Sequence, residues 1–304
     1  PWASVCEEEF RDLAQVVFVG EAEETWPRFL RDWAEGRPAR RYEQAERTDM
    51  SAVPVPRYDL LPMKKYLFGS VQFSRGCPHE CEFCDITVTF GRRPRFKTVA
   101  QVLAEFEALR AQGMEIIFVV DDNLAGNKVA VKEVLQAVAR WQRDRGFPFI
   151  LVAEASLDIA DDAALLERMA EANIQSVFVG IESLNEASLR EARKYTNIRR
   201  GASLLERVRT IQDAGIEVWC GMMLGFDNDD PTVFTAQRDF LHEARIVDAM
   251  ASMVYAIPRT GSAVWVSAQV RHALPPLDDG PGHGPAAATR GQLLLNGRDS
   301  AARR

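Results

Sequence analysis

The chain has 304 residues, 47% of them hydrophobic, with 44 acidic against 37 basic side chains and a net charge of −7. That length can bury one large core with appendages, and the mixed charge contains no basic block of the kind that holds nucleic acid without sequence preference. No apolar stretch approaches the ~20 residues that span a bilayer, and no charged-then-apolar N-terminal signal is visible, so a cytoplasmic, reducing location is expected. The start at Pro1 rather than Met points to a piece of a longer protein.

Residues 16–19 read as a strand, followed by Gly-Glu-Ala-Glu-Glu and a helix carrying Trp26, Phe29, Leu30 and Trp33. A Pro-containing linker covers 48–68, and 71–74 is a strand running straight into a cysteine-rich loop. Thr98 opens a helix with Gln101 three residues on as its capping-box partner, and Gly113 stops it. Strands at 115–120, 149–153, 176–181, 217–224 and 249–257 then alternate with helices at 128–143, 161–172 and 202–214. A further helix is expected to start at Asp230-Pro231, as a cap and first-turn pair. Six strands alternating with helices imply a parallel sheet. Right-handed crossovers would curl it into an open partial (β/α)6 barrel, an α/β fold with one remnant strand–helix unit before it. Chemistry in such barrels sits at the C-terminal strand ends. The final stretch, 273–304, is rich in Pro, Gly and Ala without period and reads as disordered. The expected organisation is 1–47 remnant, 48–68 linker, 69–260 barrel and 261–304 truncated or disordered tail.

Cys77, Cys81 and Cys84 are three of only five cysteines in the chain. Thiolates favour zinc and iron–sulfur clusters. A structural zinc ion needs a fourth ligand; His79 lies awkwardly between two of the cysteines, and His242, His272 and His283 are distant. A disulfide framework does not suit a long, cysteine-poor chain. A cubane cluster usually takes four cysteines, so three would leave one iron open to bind something during a reaction. Cys6 and Cys220 read as small buried residues. Arg92, Arg93, Arg95 and Lys97 read as a solvated basic run, or as contacts to an anionic substrate or electron donor. Polar residues recur at the strand ends: Asp121-Asp122-Asn123, Glu154 and Ser156, Gly180-Ile-Glu-Ser183, and Gly221 to Asp227. Asp121 alone could cap the next helix, and Lys194 could be a helix-surface charge, but the recurrence argues for one shared cavity.

Cys-x3-Cys-x2-Cys with Phe83 before the last cysteine resembles the radical S-adenosylmethionine (SAM) superfamily. The resemblance implies a [4Fe-4S] cluster on Cys77, Cys81 and Cys84. It also implies SAM chelated on the open iron, cleaved by one electron to a 5′-deoxyadenosyl radical that abstracts hydrogen from an organic substrate. It places Asp121 and Asp122 near the SAM amino group, Glu182 at the ribose and Lys194 at the carboxylate. Phe83 and Gly225 fall near the adenine, with Glu154 and Ser156 among the cofactor contacts. It implies a small-molecule or lipid substrate and a reductant such as flavodoxin or ferredoxin. The first unit, the linker, Val119-Val-Asp-Asp-Asn and Ala153-Glu-Ala-Ser are similar to the subgroup with an N-terminal cobalamin-binding domain, some members of which modify hopanoid lipids. That subgroup's cobalt-ligating Asp-x-His-x-x-Gly is absent, and no histidine precedes His79. Cobalamin, and cobalamin-dependent methyl transfer, would belong to a longer parent protein. A non-catalytic iron–sulfur or zinc protein is the remaining alternative.

Overall fold

A computed structural model of the chain describes residues 2–198 and 201–262; the tail expected to be disordered lies, from residue 263 on, outside the described residues. The chain begins with helix α1 (Trp2–Val5) and a parallel pair, β1 (Val17–Val19) with β2 (Arg41–Glu43), joined by helix α2 (Thr25–Ala34). Phe18 organises this unit: its ring meets Trp26, Phe29 and Tyr42 at centroid distances of 5.6, 5.4 and 5.5 Å.

Strand β3 (Gly69–Val71) starts the main sheet. The short ribbon of β4 (Ser74–Arg75) and β5 (Arg95–Phe96), paired antiparallel, then brackets the cysteine loop and helix α3 (Ile86–Thr89). Beyond it come α4 (Val99–Ala111), β6 (Ile116–Val119), α5 (Lys128–Asp144), β7 (Ile150–Ala155), α6 (Ala163–Glu171) and β8 (Ile174–Glu182). The described chain finishes with α7 (Glu186–Glu191), α8 (Leu204–Asp213), β9 (Glu217–Leu224), α9 (Val233–Glu243) and β10 (Ala249–Met253). The six main strands run in the order β10-β9-β8-β7-β6-β3, every neighbouring pair parallel. Each strand therefore lies beside its successor in the barrel, and all six C-terminal ends reach one rim. This is the α/β architecture of an open partial barrel.

Local chemistry explains the element ends. Both limbs of the Thr98/Gln101 capping box form at α4, and a second box, Ser203/Glu206, starts α8. Gly113 and Gly215 leave their helices at φ +73° and +81°, where glycine has no Cβ penalty. Between sheet and helices, Phe106, Trp141 and Phe149 form a ring cluster with centroids 5.5–5.6 Å apart. Phe106 and Phe149 are fully buried, each a contribution of about 1.5–3 kcal/mol.

Three boundaries differ clearly from expectation. The single strand over 71–74 is split into β3 and β4, because the Asp121 carboxylate takes the Phe73 and Ser74 amides that would otherwise continue the ladder. Helix α9 starts at Val233, not at Asp230-Pro231: the Asp230 carboxylate accepts from the Thr232 amide at 2.7 Å and from its hydroxyl, forming a turn before the helix. The last strand also stops at Met253 rather than continuing to residue 257.

Candidate functional site

The cysteine loop leaves β4 at the rim. Gly76, at φ +100°, starts it; a Cβ there would lie 2.9 Å from the Gly91 carbonyl oxygen, so the turn requires glycine. The loop is tied down on three sides: Gly76 N donates to Asp122 at 2.6 Å, Cys77 N to the Gly91 carbonyl at 3.2 Å, and Glu82 N to the Ala192 carbonyl at 3.0 Å. Arg193 adds an ion pair to Glu82 at 2.9 Å. Cys77, Cys81 and Cys84 are all free and half-buried. Burial pushes all three thiols up, Cys84 to about 12. Against that, the His79 amide and the Asn123 carboxamide favour the Cys77 thiolate, and the Lys194 charge favours those of Cys77 and Cys81. Buried thiols of this kind become thiolates when a metal displaces the proton. Among the described residues no three His, Cys, Asp or Glu side chains converge on one ion position. A cubane, whose irons occupy separate corners, takes ligands spread around it rather than converging on one ion.

The exit of β6 gives adjacent carboxylates opposite fates. Asp121 is 1% exposed and accepts from Phe73 N at 2.7 Å, Ser74 N at 2.9 Å and Ser74 Oγ at 2.5 Å. Burial pushes its carboxyl up to about 7 against those three donors. Asp121 therefore does not cap the next helix; its buried carboxylate is taken up by Phe73 and Ser74 and shapes the entry to the cysteine loop. Asp122 faces the rim, its carboxyl raised by burial and its Oδ2 taking only the Gly76 amide. Glu154, at the end of β7, is half-buried and accepts no hydrogen bond among the described residues. Its carboxyl is raised first by burial and then by the negative charge of Asp122. Arg75 and Arg95 act on Asp122 against burial, whereas no cation offsets the raised carboxyl of Glu154. Ser156 lies a layer deeper, buried and bonded to Asn123 and Asp158.

At the end of β8 the register with β9 shifts between Gly180 and Glu182, and Glu182 adopts φ +65°, a left-handed backbone rare for a residue with a side chain. Asn197 pins the bulge by donating to the carbonyls of Gly180 and Ile181, both at 2.9 Å. The bulge aims Glu182 at Lys194, Oε1 to Nζ 3.0 Å, with side chains 10% and 11% exposed. Lys194 is thus no surface charge. Burial opposes its proton, but Glu182 and then the Cys81 and Cys84 thiolates outweigh burial and raise its pKa. Gly180 is bare because a Cβ would stand 2.1 Å from Glu182 Oε1 and 2.8 Å from Lys194 Nζ. The structure brings together Cys77, Cys81, Cys84, Asp122, Glu154, Glu182 and Lys194. Phe83 is half-buried in the loop and Gly225 is exposed at φ +96°, clamped by Asp229 through Gly225 N at 2.9 Å; the structure records no contact between either and that group.

Three features escaped the sequence reading. Asn123, read only as one of the polar strand-end residues, turns its amide toward Cys77, and Asn197, not singled out there, pins the bulge. The basic run is also not one solvated unit. Arg95 pairs with Glu21 at 2.9 Å, and Arg75 reaches Glu21 at 2.5 Å and Glu23 at 2.8 Å, joining the N-terminal unit to the ribbon around the loop. Lys97 pairs inside with Glu105, leaving Arg92 and Arg93 exposed. Cys6 and Cys220 are buried as expected.

The chain is 38% identical over 267 residues to an uncharacterized methyltransferase of Synechocystis, covering 87% of this chain and 49% of the relative. It is 38% identical over 227 residues to the hopanoid C-2 methylase of Rhodopseudomonas palustris, covering 74% of this chain and 43% of the relative. The chain thus spans about half the length of these curated relatives. A solved structure of the cobalamin-dependent S-adenosylmethionine radical enzyme OxsB, with aqua-cobalamin and S-adenosylmethionine bound, shares the fold. Its TM-score is 0.69 at 18% identity, over 98% of this chain and 52% of that one. Residues 71–238, more than half of the chain, match the Radical SAM superfamily, and the chain belongs to that superfamily of enzymes.

Proposed function

We propose that the chain is the cluster- and SAM-binding barrel of a cobalamin-dependent radical SAM methyltransferase acting on a small organic or lipid substrate. The observation that carries this is the pair of relatives at 38% identity, named methyltransferase and methylase. They support methyl transfer over the hydrogen abstraction expected from the motif. Cys77, Cys81 and Cys84 would hold three irons of a [4Fe-4S] cluster, and the donors and cation around their sulfurs suit thiolate ligands. When bound, the cluster supplies the single electron for reductive chemistry on SAM. Lys194 would meet the SAM carboxylate and Glu182 the ribose hydroxyls. Asp122 and Glu154 would meet its amino group, in keeping with two carboxyls raised by burial, of which Glu154 has no cation to offset it. Phe83 and Gly225 would flank the adenine. The 304 residues contain no Asp-x-His-x-x-Gly, so they do not supply cobalt ligation by that motif. An electron carrier such as flavodoxin or ferredoxin would serve as reductant in the cytoplasm; among the described residues no helix is long and apolar enough to cross a membrane.

The test is anaerobic reconstitution with iron and sulfide, reduction, and product analysis with SAM and cobalamin present. S-adenosylhomocysteine is the product expected of methyl transfer. 5′-Deoxyadenosine alone would return the assignment to hydrogen abstraction, and a cluster that leaves SAM intact would remove the enzymatic reading of this barrel.

A further inference from the structure

Asn123 is 3% exposed and its carboxamide can be oriented without ambiguity. Oδ1 accepts from two backbone amides, Ala125 N and Ser156 N, both at 3.1 Å. Backbone N–H groups only donate, so the oxygen cannot exchange places with the nitrogen. The two N–H bonds of Nδ2 then point to Ser156 Oγ at 3.1 Å and to Cys77 Sγ at 3.8 Å. Ser156 can accept because its own proton goes to Asp158 Oδ1, and Lys128 holds that carboxylate at 2.9 Å. Capping the turn Leu124–Gly126 would explain the oxygen of Asn123. It does not explain an amide nitrogen aimed at sulfur and locked there by a chain of polar contacts ending in a partly buried ion pair.

We infer that Asn123 is a positioning residue of the cluster, donating an N–H to the Cys77 sulfur and raising the cluster's reduction potential, with Ser156 and Asp158 fixing the donor. The physical basis is charge. Reduction adds an electron whose density spreads onto the ligating sulfurs, so a hydrogen bond to sulfur favours the reduced state. A donor anchored in a low-dielectric site does so without paying to reorient. The inference rests on Cys77 being a cluster ligand.

The wild type, Asn123→Ala, Asn123→Asp and Ser156→Ala proteins are reconstituted anaerobically, assayed for iron and sulfide, and titrated with reductant while the spin of the reduced cluster is followed by electron paramagnetic resonance. Asn123→Ala is expected to keep its iron and to shift the reduction equilibrium about tenfold against the reduced state, about 59 mV more negative for a one-electron couple. Asn123→Asp, equal in shape, replaces the donor with negative charge and is expected to shift further the same way. Ser156→Ala, which only loosens the donor, is expected to shift less. If Asn123→Ala loses iron, the isosteric Asp variant decides. An iron-replete Asn123→Asp protein with the wild-type potential overturns the inference and leaves the ligand assignment intact. A wild-type protein that forms no [4Fe-4S] cluster overturns both.

Discussion

Lys97 and Glu105 meet between the end of β5 and helix α4, with side chains 4% and 1% exposed, while Lys194 and Glu182 meet at the rim, 11% and 10% exposed. The chemistry of the two pairs is the same and their surroundings are opposite. The first sits on backbone without a positive φ, and the nearby Tyr58 hydroxyl closes its pocket by donating to the Ser70 carbonyl at 2.7 Å. The second needs a left-handed Glu182, a left-handed Arg193 just before the lysine, a bulge, and a glycine with no room for a side chain. Its lysine also feels the thiols of Cys81 and Cys84. A pair that ties two elements together has no use for such strain. Strain that persists beside a charged pair at the rim is a reason to test the place for a ligand that completes the interactions.

That contrast can be broken experimentally. The largest effect should come from Lys97→Met, which leaves Glu105 buried without its cation and should cost about 3–5 kcal/mol of folding stability, read by denaturant unfolding. Adding Glu105→Leu should recover most of the loss, because an apolar pair of similar volume replaces a buried ion pair at little cost. A double variant as unstable as the single one would show that Lys97–Glu105 is more than a staple. At the rim, Lys194→Met should weaken SAM binding to the reconstituted protein by about tenfold to a hundredfold, the value of a charged hydrogen bond of about 1.5–3 kcal/mol. Here Glu182→Leu should rescue nothing. Recovery of SAM affinity in that double variant, measured by equilibrium dialysis, would reduce the rim pair to a second staple.

The contrast also marks what could be read from the chain. The six strands were legible because apolar runs such as Ile116–Val119 alternate with capped helices, and parallel crossovers leave few other sheets to build. The thiol triplet was legible from spacing alone. The division of labour between Asp121 and Asp122 was not. Adjacent residues leaving a strand point to opposite sides, and which one turned inward depended on the amides of Phe73 and Ser74, nearly fifty residues earlier. The same long-range bonds split the first strand. The Lys97 pairing joins the ribbon to helix α4, Arg95 finds Glu21 in another unit, and the sulfur-facing amide of Asn123 is fixed only by Ser156 on the next strand. Local pattern fixes elements; contacts between elements decide which of two similar side chains does chemistry.

Gly180→Ala would sharpen the comparison from the backbone side. Its Cβ would fall 2.1 Å from Glu182 Oε1 and 2.8 Å from Lys194 Nζ, so the pair must separate. Both atoms are the ends of flexible side chains, so the cost to stability should stay near the lower end of the about 1–3 kcal/mol typical of overpacking. SAM affinity should fall several-fold in the same variant. Unchanged affinity would mean that the ion pair can shift without disturbing the site.

The smallest effect should be a pH dependence of the cluster-free protein. Burial raises the carboxyls of Asp122 and Glu154 above their ordinary values, and the charge of Asp122 raises Glu154 further. The folded state therefore holds protons that the unfolded chain has released, and stability must fall as pH rises from about 4, the ordinary carboxylate range, through the raised values. Carboxylates paired with cations, such as Glu21 with Arg95 and Arg75, are lowered instead and lose their contribution only below that range, so they do not mask the slope. Glu154→Gln should reduce it by one carboxyl's share, leaving the same-sign shares of Asp121 and Glu105, and SAM should reduce it too by bringing its ammonium to Glu154. A slope unchanged both in Glu154→Gln and in the SAM-bound wild type would mean that Glu154 does not face the bound amino group.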